Sequence, residues 1–122
     1  MRTIALFGMG FCLTAALGFS ITMYRGQLMD AGCYNHNSSA GGEKVWVKCA
    51  PTGATTHFAI HTNGKIRMLD AGGNDKALTA YRSGILKRDK NGDMPVRIGG
   101  YRHGNTIQVE GIRASGSDTS IH

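Results

Sequence analysis

A small, mainly β domain with one short helix and one disulfide is what this sequence predicts, and three observations predict it. Two stretches, "HFAIHTNGKIRMLD" and "VRIGGYRHGNTIQVEGIRA", alternate apolar and polar residues around Asn63-Gly64 and His103-Gly104-Asn105, the pattern of β-hairpins. Between them, "DAGGNDKALTAYRSGI" changes to helical spacing, with Ala77, Leu78, Tyr81 and Ile85 on one face. Beyond an apolar leader only Cys33 and Cys49 remain, an even count that reads as one bridge in an exported protein.

The chain opens on Arg2 and an apolar run from Ile4 to about Gly18 that ends in small residues, which is the layout of a signal peptide. Residues 1–20 are read as that signal, cut after Ala16, Gly18 or Ser20. An uncleaved anchor is the alternative, because Ile4 to Met23 is uncharged and long enough to span a hydrocarbon core of ~30 Å. Glycine and serine dilute that run and favour cleavage. Cys12 does not mark a lipoprotein, since Phe11 stands where a lipobox needs a small residue. Export places the protein in the periplasm or outside the cell. What remains is one domain's worth of chain, roughly 100 residues, with a core only marginally large enough to stand alone.

The elements follow in order. "TMYRGQLMDAG" alternates as a strand, Tyr24, Gly26 and Leu28 on one side and Arg25, Gln27 and Met29 on the other, with Gly26 marking a bend. From Cys33 to Thr56 the composition is that of a loop, interrupted by "KVWVK" as a strand fragment. The first hairpin comes next, then the helix, with Asn74 as its N-cap, Asp75 in its first turn and Gly84 at its stop. A charged connection, "LKRDKNGDMP", leads to the second hairpin, whose Val96, Ile98, Ile107 and Val109 share a face. Ile112 breaks the two-residue period, so Glu110-Gly111 is a bulge. Residues 22–114 form the domain, and 115–122, "SGSDTSIH", form a flexible tail without periodicity. The order β-β-β-α-β-β is that of a small five-stranded OB-fold-like barrel; an open sheet on one helix is the alternative.

Four fragments, "YRGQLMDAGCY", "KCAPTGATTHFAI", "GKIRMLDAGGNDKA" and "GNTIQVEGI", resemble those of small secreted bacterial proteins of uncharacterised function. More loosely, the chain is similar to the periplasmic bacterial OB-fold family, some of whose members are linked to stress tolerance. The resemblance spans most of Tyr24 to Ile112 and implies no catalytic residues. The Cys33–Cys49 loop departs from the periplasmic family's pattern, which puts a stress role in doubt.

Catalytic and metal chemistry find little footing. Cys33 and His36 form a Cys-x-x-His, but no second pair completes four zinc ligands, and a redox pair needs Cys-x-x-Cys. The bridge is therefore a staple, contributing about 3 kcal/mol in the chain-entropy model. His57 and His61 share a strand face but stand about 13 Å apart, too far to share one ion. "DKNGD" has its glycine at the fourth place of a calcium loop rather than the sixth, and Gly100 where the closing glutamate belongs. No serine sits in a Gly-x-Ser-x-Gly elbow. Asp30 and Glu110 are the carboxylates placed at strands, and Asp30 is assigned to backbone hydrogen bonds at the loop entry. No enzyme activity, cofactor or metal is expected.

Charge points to binding. The formal charge is +6, or +5 without Arg2, which favours anionic partners. Export makes nucleic acid the least accessible of these, and leaves an anionic envelope polymer or glycan; a membrane enters only if the leader is uncleaved. OB-folds bind on strands two and three and the loops beside them. Here those positions carry Tyr34, Lys44, Trp46 and Lys48 in the stapled loop, Arg102 and His103 in the last turn, and Arg25, His61 and Arg67 at outward strand positions. Rings beside cations suit stacking combined with charge neutralisation. Against this, Trp46 as the sole tryptophan suits a barrel plug. The expected function is a non-enzymatic binding module for an anionic envelope ligand; the alternative is a structural or stress-protective envelope protein without a dedicated ligand.

Overall fold

Turn chemistry sets the hairpins. Asn63 and Gly64 both have positive φ, 51° and 76°, the type I′ pattern whose twist matches that of paired strands. They join β2 (Phe58–Thr62) to β3 (Lys65–Leu69). Gly104, at φ 63°, opens the second connection, between β4 (Pro95–His103) and β5 (Thr106–Ala114). His103 is the last strand residue, so that turn has two residues rather than three. The computed structural model describes residues 20–37, 49–116 and 120–122. Its other elements are β1 (Thr22–Asp30), α1 (Ala31–Asn37), α2 (Ala71–Arg82) and β6 (Ser120–Ile121).

β1 pairs with β4 along Thr22 to Gln27 and with β2 along Gln27 to Asp30, all antiparallel. β2 pairs with β3 and β4 with β5, also antiparallel. β3 runs parallel to β5 at Met68–Thr106 and Leu69–Ile107, and this pairing closes a five-stranded barrel. The expected OB-fold-like architecture is thus present. Gly26 stands where β1 passes from one partner strand to the other, and a Cβ there would land on the carbonyl oxygen of His61. No larger residue fits that crossing. The register moves from Gly99–Gly111 to Gly100–Val109, leaving Glu110 as the extra residue of the expected bulge.

The barrel is filled by Leu28, Phe58, Ile60, Val96, Ile98, Ile107 and Ile112, all essentially inaccessible. Ala77 and Ala80 of α2 pack onto this core, with Leu78, Tyr81 and Ile85 partly buried beside them. Small residues there let the helix backbone lie close over the barrel end. Gly84, at φ 80°, ends the helix as expected.

Four expectations need correction. The segment after Asp30 is not loop throughout: Cys33 and Tyr34 lie in α1, a second short helix. Its cap is Asp30, whose Oδ1 accepts from Cys33 N at 2.9 Å while Oδ2 accepts from Thr55 Oγ1 at 2.7 Å. Secondly, α2 begins at Ala71 and its N-cap is Asp70, which accepts from Gly73 N. Asn74 lies inside the helix and instead accepts from Phe58 N at 2.8 Å, tying α2 to the start of β2. Thirdly, the tail does not stay loose to its end, because Ser120 and Ile121 pair with Arg113 and Ile112 and Ile121 packs against the core. Finally, Arg67 is not an outward residue of β3. It pairs with Ile60, which fills the barrel, so the two share the interior side of the wall.

Candidate functional site: a basic barrel mouth

Cys33 and Cys49 are joined, as the cysteine count predicts. The bridge fastens α1 to the outside of the barrel, where Met29, Ala31, Cys49 and Ala59 form a second buried cluster. Tyr34, Ile66 and Met68 pack around it, partly buried. This changes where a ligand can go. Ala59, His61, Ile66 and Met68 are the outward positions of β2 and β3, and the chain's own helix and staple cover most of them. Tyr34 is packing material there, and His61 shares that outer face with Ile66 and Gln27. Neither is brought to the remaining cations. Lys44, Trp46 and Lys48 lie outside the described residues.

The structure does bring Arg67, Arg102 and His103 to one end of the barrel. Arg67 Nη1 donates to the Gly104 carbonyl at 3.5 Å, which lays the β3 cation against the turn following Arg102 and His103. Met68 N donates to Asn105 O at 3.0 Å and fixes the same approach through the backbone. Arg102 is exposed, and His103 is exposed with its Nε2 at 3.1 Å from Gln108 Oε1. Lys65 is also exposed and falls two residues before Arg67, on the same side of β3. Sequence reasoning missed it, although period two from Arg67 reaches it. Among the described residues, no carboxylate pairs with any of these four. The arrangement can neutralise an anion at a rim whose inner wall is apolar.

The carboxylates at strand ends have other work. Asp30 caps α1, and Asp70 Oδ1 accepts from both Gly73 N at 2.8 Å and Val109 N at 3.2 Å. A cavity of about 480 Å³ opens between the starts of the two helices, lined by Asp30, Asn35, His57, Phe58, Met68 and Asn74 among others. Its polar walls are already engaged: Asp30 with Cys33 and Thr55, Asn74 with Phe58 N, and Asn35 with a partner of its own. The Asp89–Asp93 stretch folds as a polar turn, with Asp89 Oδ1 accepting from Asn91 N and Asp93 N.

No protein family, curated protein or solved structure matches the chain. The barrel topology and the placement of the cations therefore carry the functional argument.

Proposed function

We propose that this protein is an exported, non-enzymatic binding module whose barrel mouth, built from Lys65, Arg67, Arg102 and His103, takes an anionic envelope polymer or glycan. One observation supports this reading above others: Arg67 reaches the Gly104 carbonyl, so cations from two separate hairpins share one rim, with no carboxylate paired to them among the described residues. Guanidinium groups offer paired donors that match carboxylate, sulfate or phosphate. The segment closed by the Cys33–Cys49 bridge carries Trp46 and Lys48 and is the ring-bearing partner in this reading.

The test is retention of the purified exported protein on an anionic envelope polysaccharide across a salt gradient. The triple substitution Lys65→Ala, Arg67→Ala, Arg102→Ala elutes at markedly lower salt than wild type, while its circular dichroism is unchanged. Binding weakens for wild type too as the Debye length falls from ~10 Å at 0.1 M to ~3 Å at 1 M. The sole tryptophan gives a second readout, a fluorescence change on ligand addition that Trp46→Phe abolishes. Equal retention of wild type and triple variant refutes the mouth.

A further inference from the structure

On the wall formed by β1, β4 and β5, the outward positions fall into two rows. Arg25 is opposite Arg97, and Arg97 is opposite Arg113, so three arginines stand in line across three adjacent strands. With strands about 4.8 Å apart, their stems are rooted within about 10 Å. Like charges directly opposite one another destabilise a sheet. Among the described residues none of the three guanidinium groups has a partner, and Arg97 Nε is buried without one.

The neighbouring row is Met23–Gly99–Gly111, apolar and hollow. A Cβ at Gly99 would meet Ile21 and Met23, and one at Gly111 would meet His122, so the two glycines floor a groove between those side chains. The groove has a volume of about 200 Å³, and Arg97 and Arg113 line it. Ile21 and Met23 are 53% and 51% exposed, the large apolar side chains left open on this protein's described surface. Glu110 stands at the rim but is bonded to none of the arginines.

We propose that this face docks on an anionic phospholipid, with the phosphate on the arginine row and the start of an acyl chain on Ile21, Met23 and the glycine floor. Exposed aliphatic groups beside unpaired arginines are the chemistry of a charged lipid interface. A second copy of the chain fits poorly, because an isologous contact would bring six arginines together. A glycan or a nucleic acid is held by stacking on large rings, and among the described residues the groove has no Tyr, Trp or Phe, only the His122 imidazole. The site shares β4 with the basic mouth but uses different side chains and does not depend on it.

The test is a titration of isotope-labelled exported protein with short-chain phosphatidylglycerol below its micelle concentration, following the amides of Gly99 and Gly111. Saturable shifts at both are expected, with none from short-chain phosphatidylcholine. Arg25→Gln with Arg113→Gln weakens binding by roughly 25-fold, from about a factor of five for each interfacial arginine. Ile21→Ser with Met23→Ser also weakens it, whereas Arg67→Ala with Arg102→Ala leaves it unchanged. Should the double arginine variant fail to fold, Arg25→Gln alone, at an exposed position, carries the same comparison. Equal shifts from phosphatidylcholine, from glycerol phosphate without chains, or from an acidic glycan would each overturn the proposal. So would unchanged affinity in the arginine or apolar variants.

Discussion

Asp70→Ala removes more than a helix cap. In the structure one oxygen, Oδ1, accepts from Gly73 N at the start of α2 and from Val109 N in β5. Losing an N-cap costs about 1 kcal/mol. Val109 is 3% exposed, so its amide is left without an acceptor in the barrel wall, at about 1–3 kcal/mol. The sum is about 2–4 kcal/mol, a large share of the 5–15 kcal/mol typical of a small domain. Asp70→Asn keeps Oδ1 and is an equally good cap, so it should lose far less. Equilibrium urea unfolding of the oxidised protein measures both, with the midpoint moving and the slope unchanged. An alanine variant within about 0.5 kcal/mol of wild type refutes the shared role of that oxygen. So does an asparagine variant as damaged as the alanine one.

The mature protein, without the segment that carries Cys12, shows no thiol labelling before reduction and two labels after it by intact mass, and Cys33→Ser with Cys49→Ser lowers stability by about 3 kcal/mol; labelling of both cysteines in native protein contradicts the bridge. Gly26→Ala destabilises by at least about 1–3 kcal/mol, because its methyl group meets backbone rather than a movable side chain, whereas Gly53→Ala, with open space around it, is close to neutral in the same unfolding assay. N-terminal sequencing of the fractionated protein finds cleavage near Gly18 or Ser20, and a full-length membrane-bound product establishes the anchor instead.

The β-hairpins were readable because their cues are local: period two on each strand, Asn63-Gly64 in one turn, Gly104-Asn105 in the other. The bulge at Glu110 was readable for the same reason, since one extra residue breaks the apolar alternation between Val109 and Ile112. α1 was missed because "AGCYNHN" is short and carries no apolar period. A signal was nonetheless present. Asp30-Ala31-Gly32 and Asp70-Ala71-Gly72 repeat the same three residues at the end of a strand, and both aspartates prove to be helix caps. Asn74 looked like the better cap on residue type alone, yet it is spent on Phe58 N across the fold. The arginine row was invisible in one dimension because Arg25, Arg97 and Arg113 are far apart along the chain. Only strand pairing aligns them.

By itself the sequence determined the disulfide, the mainly β character, the order of the five barrel strands around α2 and the excess of positive charge. Each follows from composition or from contacts between near neighbours. Tertiary structure alone decided which cations share a surface. Closure of the barrel through β3 and β5 set Arg67 against the last turn, and the staple drew α1 over the face that strand alternation had offered to a ligand. The register of β1 against β4 and of β4 against β5 then lined up three arginines beside a glycine-floored groove. Register and closure depend on how many distant side chains fill one core together. No local window of the chain contains that information.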